Sequence, residues 1–253
     1  MYSDSHAHLE DKRFEDDRKE LIAELKADGI SFLVNIGTCA ESSLESIDLA
    51  ESENFIYAAV GLHPLNVSDA KQSDLQTIEQ LAKHEKAVAV GEIGLDYHYD
   101  GYDKDNQKFW FEKQLDLANR LGMPVCIHCR DAAGDCMDIV RKFRPKGVFH
   151  CFSGSPEMAR QIVKLGMFIS FSGVLTYKNA RQLLKVAEET PLEKILIETD
   201  SPYLAPEPFR GKRNCPLYVK EVAKKLAEIK CVSPDEVMKR TTDNLKALFT
   251  KIK

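Results

Sequence analysis

The residues of this 253-residue chain that are equipped for chemistry begin almost at once, in SDSHAHLE, where His6 and His8 stand one alanine apart. Imidazole is the commonest protein ligand for metal ions, and in an extended segment side chains two apart point the same way. His6 and His8 can therefore reach one ion while Ala7 turns away. Further along, ionisable residues fall at the ends of apolar runs: His63 in GLHP, Glu92 in AVAVGEIG, His128 in CIHC, His150 in FHCF, and Glu198 with Asp200 in KILIETD. Apolar strands do not end in such groups unless the groups have partners. Glu92, His128, His150 and Asp200 join His6 and His8 to make six candidate ligands, enough for two divalent ions sharing a bridging carboxylate. Mixed nitrogen and oxygen donors suit Zn, Mn or Mg without choosing among them.

Something must carry these residues to one place. Short β-rich runs alternate with longer stretches of helical period, and the runs are Tyr2–His8, Ser31–Gly37, Ile56–His63, Ala87–Gly94, Pro124–Arg130, Gly147–Phe152, Phe168–Gly173 and Ile195–Asp200. Between them lie amphipathic segments such as RKELIAELKADG and FWFEKQLDLANRLG, several closed by Gly or Pro. Continuous apolar strands suit a parallel sheet covered by helices, and eight such units predict an α/β fold, a closed (β/α)8 TIM barrel. Every candidate ligand then falls toward the C-terminal end of its strand, where barrels of this kind keep their active sites. No linker or low-complexity tract interrupts the pattern, so residues 1–253 are expected to form one domain. A further helix over Ser233–Phe249, opening with SPDE as N-cap and N1 proline, should pack on the barrel as an appendage. His84 on a helix and His98 on a loop are expected at the surface.

Composition limits the partners. A formal net charge of −5 with 30% charged residues gives no basic field to coat nucleic acid, so any such contact must be local. Seven scattered cysteines fit reduced thiols in a cytoplasmic protein better than a disulfide framework. No apolar run reaches membrane-spanning length and no signal peptide is apparent, so no membrane partner is expected. The CxxC at Cys126–Cys129 is not read as a zinc knuckle: in a strand the two thiols diverge, and no second pair follows at ribbon spacing.

Taken together, DSHAHL, GLHP, GEIGLDY, IHCR, HCFSG and ETDSPYLAPEPFRGKRN, in this order along nearly the whole chain, resemble the TatD family of metal-dependent deoxyribonucleases, within the amidohydrolase-type barrels. The resemblance implies that His6, His8 and Asp200 hold one ion, that His128 and His150 hold the other, and that Glu92 bridges them in place of the carboxylated lysine of many related barrels. Leu65 stands where the family often has a second His, and Cys215 where an acidic residue is common. Both departures touch the surroundings of the ligands rather than the ligands.

Such a site would hydrolyse a phosphodiester by acidifying a water and clamping phosphate oxygens. Glu92 and Asp200 are the catalytic carboxylates expected here, Asp200 as the base that takes the proton of the attacking water. Arg130, Arg210 and Lys212 are expected to grip phosphates. Ser153, Gly154, Ser172 and Gly173 offer backbone donors after late strands, His63 is placed to touch substrate, and Tyr97 and Tyr203 to stack on bases. The expected partner is DNA, as single strands or frayed ends, with 3′-to-5′ exonuclease polarity implied by the resemblance alone. The oligomeric state is left open. The alternatives are a hydrolase for a carboxylic ester, lactone or amide, including an aminoacyl ester on RNA, and, in another class, a non-enzymatic protein-binding barrel.

Overall fold

The computed structural model describes residues 2–253. Eight parallel strands run in the order of the chain, β1 Tyr2–Ala7, β2 Ile30–Ile36, β3 Ile56–Val60, β4 Ala87–Asp96, β5 Val125–Arg130, β6 Gly147–Phe149, β7 Phe168–Phe171 and β8 Ile195–Ile197. The ring closes where Ala7 bridges Ser201, with His8 N donating to Ser201 O at 2.8 Å and Asp200 N to His6 O at 2.9 Å. The fold is the TIM barrel expected. Its helices are α1 Arg18–Ala27, α2 Ala40–Ser52, α3 Gln72–Ala82, α4 Lys104–Leu121, α5 Ala133–Phe143, α6 Pro156–Lys164, α7 Arg181–Glu189, α8 Val219–Lys230 and α9 Pro234–Leu248.

Strand periodicity divides the apolar residues between two layers. Leu33, Ile56, Val125, Ile127, Phe149 and Ile195 pack outward under the helices. Val34, Ile36, Tyr57, Val88, Cys126, Val148 and Leu196 point inward and form a separate core. That inner core includes Leu245, Leu248, Phe249 and Ile252 from the end of the chain, each worth roughly 1.5–3 kcal/mol when fully buried. The terminal helix is therefore more than the expected appendage. It covers the floor of the barrel, and Lys251 fastens it by donating to the carbonyls of Ala82 (3.3 Å) and His84 (2.9 Å) just before β4. Its start is as the sequence predicts, with Ser233 Oγ accepting from Glu236 N at 3.1 Å and Pro234 in the first turn.

Several strands end earlier than their sequence suggests. β3 stops at Val60, β6 at Phe149 and β8 at Ile197, so His63, His150 and Asp200 lie just beyond their strands, and His8 one residue past β1. His84 follows α3 in a turn, half-buried and paired with Glu51 at 2.9 Å, rather than lying on a helix. Gly94 is required where β4 and β5 approach: its φ is 143°, and a Cβ there would lie 1.9 Å from His128 O. Among the described residues no helix is long and apolar enough to cross a membrane.

Candidate metal centre

At the C-terminal mouth of the barrel, β1 and β5 stand on opposite sides of the ring and β4 beside β5. β1 and the turn after it bring His6 and His8, β4 brings Glu92, β5 brings His128, and the turns after β6 and β8 bring His150 and Asp200. Asp200 is in the left-handed region (φ 56°), a conformation uncommon outside glycine and more accessible to Asp than to most residues. Its N–H donates to His6 O and its carbonyl accepts from Tyr203 N, both at 2.9 Å. Those two bonds point the carboxylate back over β1.

The two oxygens of Glu92 divide the imidazoles between them. Oε2 lies 3.5 Å from His6 Nε2 and 3.8 Å from His8 Nε2. Oε1 lies 2.7 Å from His150 Nε2, 2.9 Å from His128 Nδ1 and 3.4 Å from His63 Nε2. Asp200 Oδ1 approaches the first group, at 3.7 Å from His6 Nε2 and 3.5 Å from His8 Nε2. The six residues meet in one cluster rather than two isolated ones: the His6 and His150 rings stack with centroids 3.9 Å apart, and His63 adds a further imidazole against Glu92 Oε1.

The donor set fits divalent cations. His6 Nε2 and His8 Nε2 are 3.2 Å apart, and His128 Nδ1 and His150 Nε2 3.3 Å apart. A proton shared within each pair satisfies one contact and leaves the facing carboxylates to be shared in turn, whereas a cation satisfies nitrogen and oxygen donors together. His6, His8 and Glu92, and likewise His63, Glu92 and His128, converge closely enough to hold an ion.

Electrostatics follow from burial set against opposite charge. Burial opposes ionisation of Glu92, but the surrounding imidazoles outweigh it and hold the carboxyl well below its usual range. Asp200 is likewise lowered, against burial, by His8 and His6. Burial also opposes charge on His8, His128 and His150, yet the facing carboxylates raise all three. At His6 and His63 burial wins and the pKa is lowered.

Supporting carboxylates brace the ring. His128 Nε2 lies 3.0 Å from Asp96 Oδ2, and Asp96 is buried at the end of β4. Glu198, also buried, lies 3.4 Å from His150 Nδ1 and accepts from Cys151 N at 2.6 Å and from Ser170 Oγ. His8 Nδ1 lies 2.8 Å from Ile36 O. The bonds to Asp96 and to Ile36 O fix the orientation and tautomer of His128 and His8, whereas His150 Nδ1 is buried without a hydrogen bond. The sequence reading assigned no role to Asp96, although period two from Glu92 through Gly94 places it on the same face of β4. In the sequence Glu198 is marked only as a charge at a strand end.

A cavity of about 640 Å³ opens above the centre, lined among others by His63, Arg130, Ser153 and Tyr203. Two predicted phosphate grips are not in its wall. The guanidinium of Arg210 stacks over Tyr177 at 4.3 Å and the Lys212 ammonium lies 6.0 Å from the Phe209 ring, both outside the lining. Gly154, Ser172, Gly173 and Tyr97 are outside it too; Ser172 Oγ instead meets Cys151 Sγ at 3.0 Å, and Tyr97 donates to Asp135 at 2.8 Å. Cys126 is buried in the inner core while Cys129 packs against the outer one, so the thiols of CIHC diverge as expected. All seven cysteines are free.

The family described as TatD related DNase matches residues 3–250. The Bacillus subtilis (strain 168) protein named "Uncharacterized metal-dependent hydrolase YabD" is 42% identical over 252 residues, covering 98% of this chain and 99% of its own. The protein of Escherichia coli (strain K12) named "Uncharacterized metal-dependent hydrolase YcfH" is 38% identical, covering 97% and 94%. Among solved structures, YJJV, a TATD homolog from Escherichia coli k12, superposes with a TM-score of 0.93 at 31% identity, covering 98% of each chain.

Proposed function

Starting from the fact that this chain belongs to the TatD related DNase family and is a metal-dependent hydrolase of that family, we propose that it hydrolyses phosphodiester bonds at the ends of single-stranded or frayed DNA. The observation that carries the reading is Glu92, whose oxygens face different imidazoles, Oε2 toward His6 and His8 and Oε1 toward His128 and His150, beneath a cavity that also holds the cationic Arg130. His6, His8 and Asp200 would hold one divalent ion, His128 and His150 a second, with Glu92 between them. Bound there, the ions would supply charge neutralisation for the phosphate and acidify a water.

The protein's own groups do the rest. Asp200, kept ionised by its imidazole neighbours, accepts the proton of the attacking water. Asp96 holds the ring of His128 in place, and Glu198 sets a negative charge 3.4 Å from His150 Nδ1. Arg130 lines the cavity with Tyr99 as its hydrogen-bond partner (3.5 Å) and, among the described residues, no carboxylate ion pair, so its charge is free for phosphate. Arg210 and Lys212, outside the wall, are assigned no contact with the scissile phosphate.

A matched substrate panel tests the reading. Metal-loaded protein is offered single-stranded DNA, duplex DNA, RNA and a neutral carboxylic ester, with Arg130→Ala alongside. The proposal expects fastest turnover of single-stranded DNA, with kcat/KM reduced about tenfold or more by Arg130→Ala. Ester turnover indifferent to Arg130→Ala, without diester turnover, would sink it and favour an esterase.

A further inference from the structure

Two arginine–tyrosine pairs have a tyrosine in the cavity wall, one on each side of the metal centre, and they differ in charge. Beside β1, the Arg13 guanidinium stacks 4.1 Å above the Tyr203 ring. Asp11 engages that guanidinium through two bonds, Nε to Oδ1 at 2.9 Å and NH2 to Oδ2 at 2.7 Å, and the Tyr203 hydroxyl reaches Asp11 Oδ2 at 3.4 Å. Across the ring at the end of β5, Arg130 lies 5.3 Å from the Tyr99 ring without a carboxylate ion pair of its own. Asp96, close enough to feel its charge, is already engaged with His128.

This asymmetry separates two jobs. A guanidinium occupied on its fork by a carboxylate has little left for phosphate, but it stiffens and polarises the aromatic ring beneath it. Tyr203 is 45% exposed, lines the cavity and meets His8 edge-on, with ring centroids 6.1 Å apart. Its open surface therefore adjoins the His6–His8 half of the centre. Tyrosines so placed receive bases by stacking, whatever the base, because every base has a π-face.

We propose that Tyr203, backed by Arg13 and Asp11, is a base-stacking platform for the nucleoside on the β1 side of the scissile phosphate, while Arg130 takes the flanking phosphate on the β5 side. This rests on the phosphodiesterase reading, and it adds a subsite and a direction for the strand across the mouth. Asp11 and Arg13 are positioning residues that act through the ring of Tyr203.

Calorimetry on the metal-loaded protein tests the platform with two ligands, thymidine 5′-monophosphate and 2-deoxyribose 5-phosphate, which differ by the base alone. The wild type should prefer the nucleotide by roughly fivefold to a hundredfold, the range expected of one stacked base. Tyr203→Leu should abolish the preference and Tyr203→Phe retain it. Arg13→Ala should reduce it. Equal affinities in the wild type, or a preference that survives Tyr203→Leu, would overturn the proposal. Neither ligand is a diester, so a failed nuclease reading would show separately, as absent diester turnover.

Discussion

His6 Nε2 and His8 Nε2 face each other at 3.2 Å with both rings buried. A proton shared between them makes one hydrogen bond, but Glu92 and Asp200 also face these nitrogens and a single proton cannot serve all of the contacts. A cation in place of that proton satisfies the nitrogens and the carboxylates together, and the same holds for His128 and His150.

Metal uptake should therefore release protons. His8, His128 and His150 are raised above the usual 6.5 by facing carboxylates, so the metal-free fold carries protons there that an ion must displace. Affinity should fall about tenfold per pH unit for each displaced proton as pH drops below the folded-state values, measured by calorimetry in buffers of different ionisation enthalpy. The sign for stability is opposite. With raised folded-state pKa values, chelated protein has its full contribution below pH ~6.5 and loses it as pH rises through those values. His6 and His63, lowered by burial, are neutral in both states above 6.5 and add no slope there. Asp4, pushed up to about 8 by burial, acts in the same direction. Melting temperature should fall with rising pH more steeply in chelated protein than in loaded protein, where only groups outside the centre, such as Asp4, still contribute.

Asp96→Asn keeps the size of the side chain but removes the charge facing His128 Nε2 at 3.0 Å. Metal affinity should drop about 10–100-fold, the usual cost of losing such a brace, while circular dichroism stays unchanged. Unaltered affinity would mean that Asp96 does not orient the ring.

Gly94→Ala places a methyl 1.9 Å from His128 O at a φ of 143°. The strand pair carrying Glu92 and His128 must then part, and denaturant unfolding should show a loss of at least about 2 kcal/mol.

Phe249→Ala empties the barrel floor beneath Val34, Tyr57 and Leu196. A loss of about 3–5 kcal/mol is expected, with metal affinity retained because the centre lies at the opposite mouth.

The barrel and its six meeting residues were legible in the sequence for a physical reason: parallel strands buried on both faces read as apolar runs, so a histidine or carboxylate at the end of a run stands out. Strand ends were less legible. His150 and Asp200 leave the ladder to turn into the mouth, and the left-handed backbone at Asp200 has no periodic pattern. Asp96 lies two residues past the end expected for its strand at Gly94, whereas β4 continues to it. Arg210 and Lys212 carry the charge expected of a phosphate grip, but the aromatic rings of Tyr177 and Phe209 that occupy them come from folding. The period of α9 told that it is amphipathic and not which end of the barrel it closes.

The most direct measurement is release of nucleotides from end-labelled single-stranded DNA by metal-loaded protein, with Asp200→Asn and chelated wild type in parallel. The account predicts metal-dependent release by the wild type, reduced by a factor of about a thousand or more in Asp200→Asn, as expected for loss of a base that also holds metal. No release by the loaded wild type, or release equal in Asp200→Asn, would contradict it.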